Sequence, residues 1–230
     1  GMGVVKARIA GTPDNPVIED AQRYVINDGE LGSNYFFTIY AENEANLLFG
    51  NKGYGVFRYN ETTNGLEPVS THKYENMTLN NILAINKDSS NNHLFGTSYG
   101  LIKYTSETSY QLFNAKNGFL NNTIHAILRN SSDNFWLSTN LGLINFDTKR
   151  NVFRSYGFGD GLKVVEFSDG AGFRDSRTGT LFFGGINGVV AIRADGRPEQ
   201  LYMPPVYFDK LSIFGEQYNL GEFLTRKKET

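Results

Sequence analysis

The chain has 230 residues, 40% of them hydrophobic, with a formal net charge of −2 and no cysteine. That length admits one large domain or two small ones with a sizeable core. The near-neutral charge argues against a nucleic-acid binder, which carries a basic face, and the lack of cysteine excludes a disulfide scaffold without deciding the compartment.

The opening Gly1-Met2-Gly3 reads as an expression scar rather than a natural beginning, and the expectation is that targeting information has been cut away. Gly3 to Arg8 and Val17 to Val25 (VIEDAQRYV) then read as two strands. They match the third and fourth strands of a unit whose full form comes later, and its first two strands are absent. No apolar run along the chain approaches the roughly 18 residues of a membrane helix.

From about residue 33 the same pattern recurs. An apolar run ends in a small residue, a short link follows, and a glycine opens another apolar run. The small residues are Gly50, Gly96, Ser138 and Gly184, at intervals of 46, 42 and 46 residues. The second landmark is Gly55, Gly100, Gly142 and Gly188, at intervals of 45, 42 and 46. Two independent landmarks with one period define a repeat. The third unit shows its content: strands over Thr123–Leu128 (TIHAIL), Phe135–Ser138, Gly142–Phe146 and Val152–Tyr156, separated by RNSSDN, a tight link and DTKRN. Four short strands between turn residues make an antiparallel meander. TIHAIL and FFTIY (Phe36 to Tyr40) read as strands buried on both faces. The second glycines suit a left-handed or closely approached backbone, and the small residues let a neighbouring unit come close. No helical periodicity stands against this. The predicted fold is all-β, a partial β-propeller of about four to five four-stranded antiparallel blades. Its segments are 1–32 (second half of a preceding blade), 33–78, 79–120, 121–164 and 165–203 (the last blade), with 204–230 as a closing strand and tail or the start of a further domain.

These motifs resemble the two-component regulator propeller repeat. The matching residues are Leu94-Phe95-Gly96-Thr97 with Gly100-Leu101, and Phe135-Trp136-Leu137-Ser138-Thr139 with Gly142-Leu143 and Phe146-Asp147. The lead-ins Asp28 to Asn34 and Asn117 to Asn121 match as well. The departures are Leu48, Leu94 and Phe182 where the family carries the Trp kept at Trp136, Ser138 in place of Gly, and one extra residue in the first link. Gly179 to Gly188 is similar to the last blade of such sensors. Pro204-Pro205-Val206 to Gly215 resembles the opening strand of the triple-tyrosine β-sandwich that follows it. The resemblance implies the periplasmic sensor region of a hybrid two-component histidine kinase, with an oligosaccharide as ligand in the parent protein. The membrane would be met only through a helix outside this chain. The chain would be the tail of a second propeller.

An incomplete ring exposes an apolar blade face and unpaired strand edges at each end. Self-association through those ends is therefore expected, with closure into a small ring as the rival.

The chemistry is sparse. His72, His93 and His125 fall at non-equivalent repeat positions without metal-ligand spacing, and a structural role is expected; His125, on an inner strand, is the one to inspect for a polar pocket. Asp88, Asp133, Asp147, Asp160, Asp169 and Asp175 are assigned to turns, where carboxylates bond their own backbone. Gly184-Gly185-Ile186-Asn187-Gly188 opens a strand rather than a helix, which removes a nucleotide loop. Trp136 is expected to pack rather than stack on a sugar. Candidate ligand residues are Lys52, Tyr54, Tyr99, Asn140 and Asn187 in the links, with Asn34, Asn80 and Asn121 in the lead-ins; turn chemistry is the competing role. No catalytic residue, metal ligand or cofactor is assigned. The reading is a non-enzymatic sensory fragment. An interaction scaffold, or a propeller glycosidase or lyase with converging acid–base groups, are the alternatives.

Overall fold

In the computed structural model, residues 3–26, 34–43, 45–69, 81–106 and 109–193 are described in full, and residues 211–213 and 216–218 by their backbone. The chain divides into two compact units, Gly1–Ala194 and Asp195–Thr230.

The first unit is all-β. It opens with a hairpin of β1 (Val4–Thr12) and β2 (Asn15–Tyr24). Four antiparallel sheets follow, arranged as propeller blades. Blade 1 holds β3 (Phe36–Asn43), β4 (Asn46–Asn51), β5 (Val56–Asn60) and β6 (Gly65–Pro68). Blade 2 holds β7 (Ile82–Lys87), β8 (His93–Thr97), β9 (Leu101–Ser106) and β10 (Ser109–Phe113). Blade 3 holds β11 (Ala126–Arg129), β12 (Asn134–Thr139), β13 (Gly142–Asp147) and β14 (Val152–Tyr156). Blade 4 shows three strands among the described residues: β15 (Phe167–Arg174), β16 (Leu181–Gly185) and β17 (Gly188–Ile192). The first strands β3, β7, β11 and β15 contact one another, so they form the inner wall.

The second unit contributes a short antiparallel hairpin, β18 (Leu211–Ile213) with β19 (Glu216–Tyr218). The Pro204-Pro205 stretch expected to open a β-sandwich lies outside the described residues. No helix among them is long and apolar enough to cross a membrane.

The blades stack through apolar clusters, one between each neighbouring pair. Leu48 and Val56 of blade 1 meet Ile82, Phe95 and Ile102 of blade 2. Leu94 and Leu101 meet Ile127, Phe135, Leu137 and Phe146 of blade 3. Ala126 and Leu143 meet Leu181 and Phe183 of blade 4, with Trp136 packed against the same cluster. The hairpin closes the other side, with Tyr24 on Phe49, Phe57 and Tyr59. Both faces of an interior blade are thus buried, which is why its strands read as continuous apolar runs. Each fully buried Leu, Ile or Phe contributes about 1.5–3 kcal/mol.

The small repeat residue is fixed by this stacking. A Cβ on Gly50 would lie 2.6 Å from the Ile82 carbonyl oxygen, and one on Gly96 2.9 Å from Ile124 Cγ2, each in the following blade. At Gly184 the nearest atom is Ala171 Cβ of its own sheet, at 3.2 Å.

The repeat also locates where stacking stops. Ile39 is 63% exposed, whereas its equivalents Ile85 and Ile127 are 6% and 4% exposed. Val189 is 66% exposed, whereas Val56, Leu101 and Leu143 are at 7%, 0% and 1%. One face of blade 1 near the axis and the far face of blade 4 are therefore open.

Candidate functional site

The links after the second strands bring equivalent residues of successive blades to one side of the propeller. A threonine shapes two of them. Thr139 Oγ1 donates to the Gly142 carbonyl at 2.9 Å and accepts from Leu141 N at 3.0 Å. Thr97 does the same in blade 2, donating to the Gly100 carbonyl at 2.8 Å and accepting from Tyr99 N and Gly100 N at 3.0 Å. The glycine that follows must then turn sharply. Gly100 and Gly142 have φ of +149° and +127°. In blade 4 the threonine position is Gly185, where a Cβ would lie 2.3 Å from the Glu166 carbonyl oxygen.

The link of blade 3 carries the most developed polar group. His125, buried just before β11, presents Nδ1 to Asp169 Oδ1 at 2.5 Å and Nε2 to Asn140 Oδ1 at 2.6 Å. Its backbone is clamped from both blades: His125 N donates to the Ser138 carbonyl at 2.9 Å, and Gly170 N donates to the His125 carbonyl at 3.2 Å. Asp169 lies in β15 where the pairing register shifts between Phe167 and Gly172, with Gly170 at φ +67°. Such a bulge re-aims a side chain, and here it turns a carboxylate onto the neighbouring blade. The sequence had assigned Asp169 to a turn. The Asp169 side chain is 51% exposed, so the group is open to solvent. An ionised Asp169 accepts from Nδ1–H and fixes the ring. The Asn140 amide either accepts from Nε2–H or, turned over, donates to a bare Nε2. The site thus offers a carboxylate, an imidazole and an amide within one hydrogen-bonded chain across two blades.

The other predicted residues that are described do not join it. Tyr54 packs against the Tyr24–Phe57 cluster and Tyr99 against the Leu48–Phe95 cluster. Lys52 Nζ lies over the Tyr35 ring, 5.6 Å from its centroid. Asn187 Nδ2 donates to the Lys163 carbonyl at 3.3 Å. Asn34 Oδ1 accepts from Ile26 N at 2.8 Å and Asn121 Oδ1 from Thr123 N at 2.9 Å, which is loop chemistry. Asn80 and His72 lie outside the described residues.

A second polar network joins β3, β7 and β8, and sequence reading missed it. Glu42 Oε1 accepts from Lys87 Nζ at 2.8 Å and pairs with His93 Nε2 at 2.8 Å. Its Oε2 accepts from Asn46 Nδ2, and Arg129 donates to the Lys87 carbonyl. Burial pushes the Glu42 carboxyl up, but the hydrogen bonds from Lys87 and His93 outweigh it and hold the group below its ordinary value. Lys87 and Arg129 end the first strands of adjacent blades, each opposite the first apolar strand's partner, Lys87↔His93 and Arg129↔Phe135. Reading that column of the repeat would have shown the cations.

The remaining carboxylates do serve turns. Asp88 accepts from Ser90 N and Asn92 N, both at 2.9 Å, and Asp147 accepts from Lys149 N and Arg150 N. Asp133 reaches further, accepting from Ser89 Oγ of the preceding blade at 2.6 Å.

No protein-family description and no curated protein matches the chain. Solved structures do. The extracellular domain of a protein described as the hybrid two component system BT3049 from B. thetaiotaomicron superimposes with a TM-score of 0.63 at 24% identity, over 83% of this chain and 28% of that one. The extracellular domain of the one component system BT4673 from the same organism gives 0.60 at 20% identity, over 78% and 26%. The chain therefore spans little more than a quarter of either structure, and the likeness establishes the propeller fold.

Proposed function

We propose that this chain is a ligand-sensing propeller segment of a periplasmic two-component sensor, itself non-catalytic, that responds to an oligosaccharide and signals across the membrane to a histidine kinase. The observation that carries this reading is the match of its blades, over 83% of the chain, to an extracellular domain of a hybrid two component system. The geometry supports a binding role. The His125–Asn140–Asp169 group offers hydrogen-bond donors and acceptors at a half-open edge between blades 3 and 4. Sugar hydroxyls need both. A ligand that engages Asp169 competes with the inter-blade tie to His125, and one that engages Asn140 competes for the same imidazole from within blade 3. Binding there would favour one blade arrangement over another, which is the requirement for a ligand to act as a signal.

Calorimetry and thermal melts of the chain with a panel of oligosaccharides test the reading. A ligand at about 100 times its Kd adds roughly 2.7 kcal/mol of stability, which moves the melt measurably. Asn140→Ala should abolish the shift without changing the unliganded melt by more than the loss of one hydrogen bond. Release of new reducing ends from the panel would instead move the reading to a glycosidase or lyase.

A further inference from the structure

His125 meets a polar partner at each ring nitrogen, and one arrangement of donors cannot serve both of its charge states. Nδ1 lies 2.5 Å from Asp169 Oδ1, and Nε2 lies 2.6 Å from Asn140 Oδ1. At the first contact the ionised carboxylate has no proton to give, so Nδ1 carries one. Asp169 thereby sets the tautomer of the neutral ring, with Nδ1–H and a bare Nε2. At the second contact an amide oxygen fits only the charged ring, whose Nε2–H it accepts. Against a bare Nε2 that oxygen would oppose two lone pairs, so the neutral ring calls for the amide turned over, with Nδ2 donating.

Asn140 is built to turn. Its side chain is half-buried and makes no other hydrogen bond among the described residues. The terminal torsion of an asparagine is broad and roughly two-fold, so both orientations are open to it. The backbone need not follow, because Thr139 Oγ1 holds the link by its bonds to Leu141 N and the Gly142 carbonyl. Turning exchanges what a ligand meets. With the ring charged, Asn140 leaves its NH₂ free and the imidazolium neutralises Asp169. With the ring neutral, Asn140 leaves its carbonyl free, and Asp169 keeps a full negative charge on a side chain that is 51% exposed. One donor beside a neutralised carboxylate becomes two acceptors. Asp169 is the one titratable group in contact with the ring among the described residues. The blade 4 lead-in along the same edge carries Lys163 and Glu166, both exposed and opposite in sign, and Tyr99 of the blade 2 link packs in the Leu48–Phe95 cluster.

We propose that protonation of His125 turns the Asn140 amide over and so switches the polar group of blades 3 and 4 between a donor-bearing and an acceptor-only form. As a control on ligand binding, this switch rests on the oligosaccharide reading above. The test is NMR of the nitrogen-15-labelled full chain between about pH 5 and 8, where histidine changes charge, with the ring nitrogen shifts reporting that charge. An N–H···N hydrogen bond carries a scalar coupling between its two nitrogens, and an N–H···O bond carries none. The expected result is a coupling between Asn140 Nδ2 and His125 Nε2 when the ring is neutral, lost when it is charged. Coupling in both states, coupling in neither, or an Asn140 amide indifferent to the ring titration would overturn the switch. Asp169→Asn removes the charge that sets the tautomer and should weaken the coupling; an undiminished coupling would overturn the part given to Asp169. The oligosaccharide panel is then titrated calorimetrically at both ends of the range. A member that binds is expected to differ severalfold in affinity between them, and His125→Gln, which cannot change charge, should remove the difference. Equal affinity at both ends in the unmodified chain would overturn the control of binding. Binding by no member counts against the oligosaccharide reading alone, and the coupling still decides the switch.

Discussion

Glu42 is the residue on which the inter-blade polar contacts of blades 1 and 2 converge. Its side chain is 9% exposed, and one oxygen faces both Lys87 and His93. Because the folded protein holds this carboxyl below its ordinary 4.5, folding favours the ionised form. The resulting stability is fully present above pH 4.5 and drains away as pH falls through the depressed folded value. Thermal melts between pH 6 and 3 should fall, as Asp133 and Asp175 are also held low by hydroxyl and backbone donors. Glu42→Gln should flatten part of that fall while costing about 1–3 kcal/mol at neutral pH, the effect of a charged hydrogen-bond partner lost from a mostly buried network. A mutant curve parallel to wild type would show that Glu42 is not a contributor. The Glu42 network was not legible residue by residue; of the His125 group the sequence singled out His125 and Asn140 but placed Asp169 in a turn. Glu42 and Lys87 lie 45 positions apart, as His125 and Asp169 lie 44 apart. A local pattern holds no trace of a contact one blade away, and the β15 bulge that aims Asp169 follows no sequence landmark.

Elements were far more legible, because the repeat writes their constraints several times. The link glycines stand where the backbone must turn with positive φ. They are not equally costly to replace. A Cβ on Gly142 would lie 2.0 Å from the Tyr156 carbonyl oxygen, whereas Gly55, at φ +78°, faces open space. Gly55→Ala should therefore cost about 1 kcal/mol, the conformational penalty alone. Gly142→Ala should cost at least about 3 kcal/mol in urea unfolding, since a steric clash is added to that penalty. Phe135→Ala, at a side chain that is wholly buried between blades 2 and 3, should cost about 3–5 kcal/mol. Strand bounds were less legible than strand identity. TIHAIL reads as one strand, yet β11 begins only at Ala126. Ile124 N instead donates to the Thr97 carbonyl of blade 2 at 2.9 Å. An apolar run buried by a neighbouring blade looks the same in sequence whether its backbone pairs within its own sheet or bridges to the next.

At the scale of the molecule, the same stacking that buries three blade interfaces leaves two faces open. Ile39 marks one and Phe173 and Val189 the other, at 65% exposure for Phe173. Equivalent positions inside the stack are covered by the next blade, so the surface that fits each open face is another blade of this kind. We propose that copies of the chain associate through these faces. Light scattering over a concentration series should show mass rising above 25.8 kDa, and Val189→Lys with Phe173→Lys should restore the monomer. A constant monomer in the unmodified chain would contradict it. The sensing account itself is tested most directly by heteronuclear NMR of the labelled chain, titrated with oligosaccharides to about 1 mM, where binding worth roughly 4 kcal/mol half-saturates the site. It predicts that one member of the panel shifts the His125 ring, the Asn140 side-chain amide and the Gly170 backbone amide together. Shifts that spare all three, or none with any oligosaccharide, would contradict it.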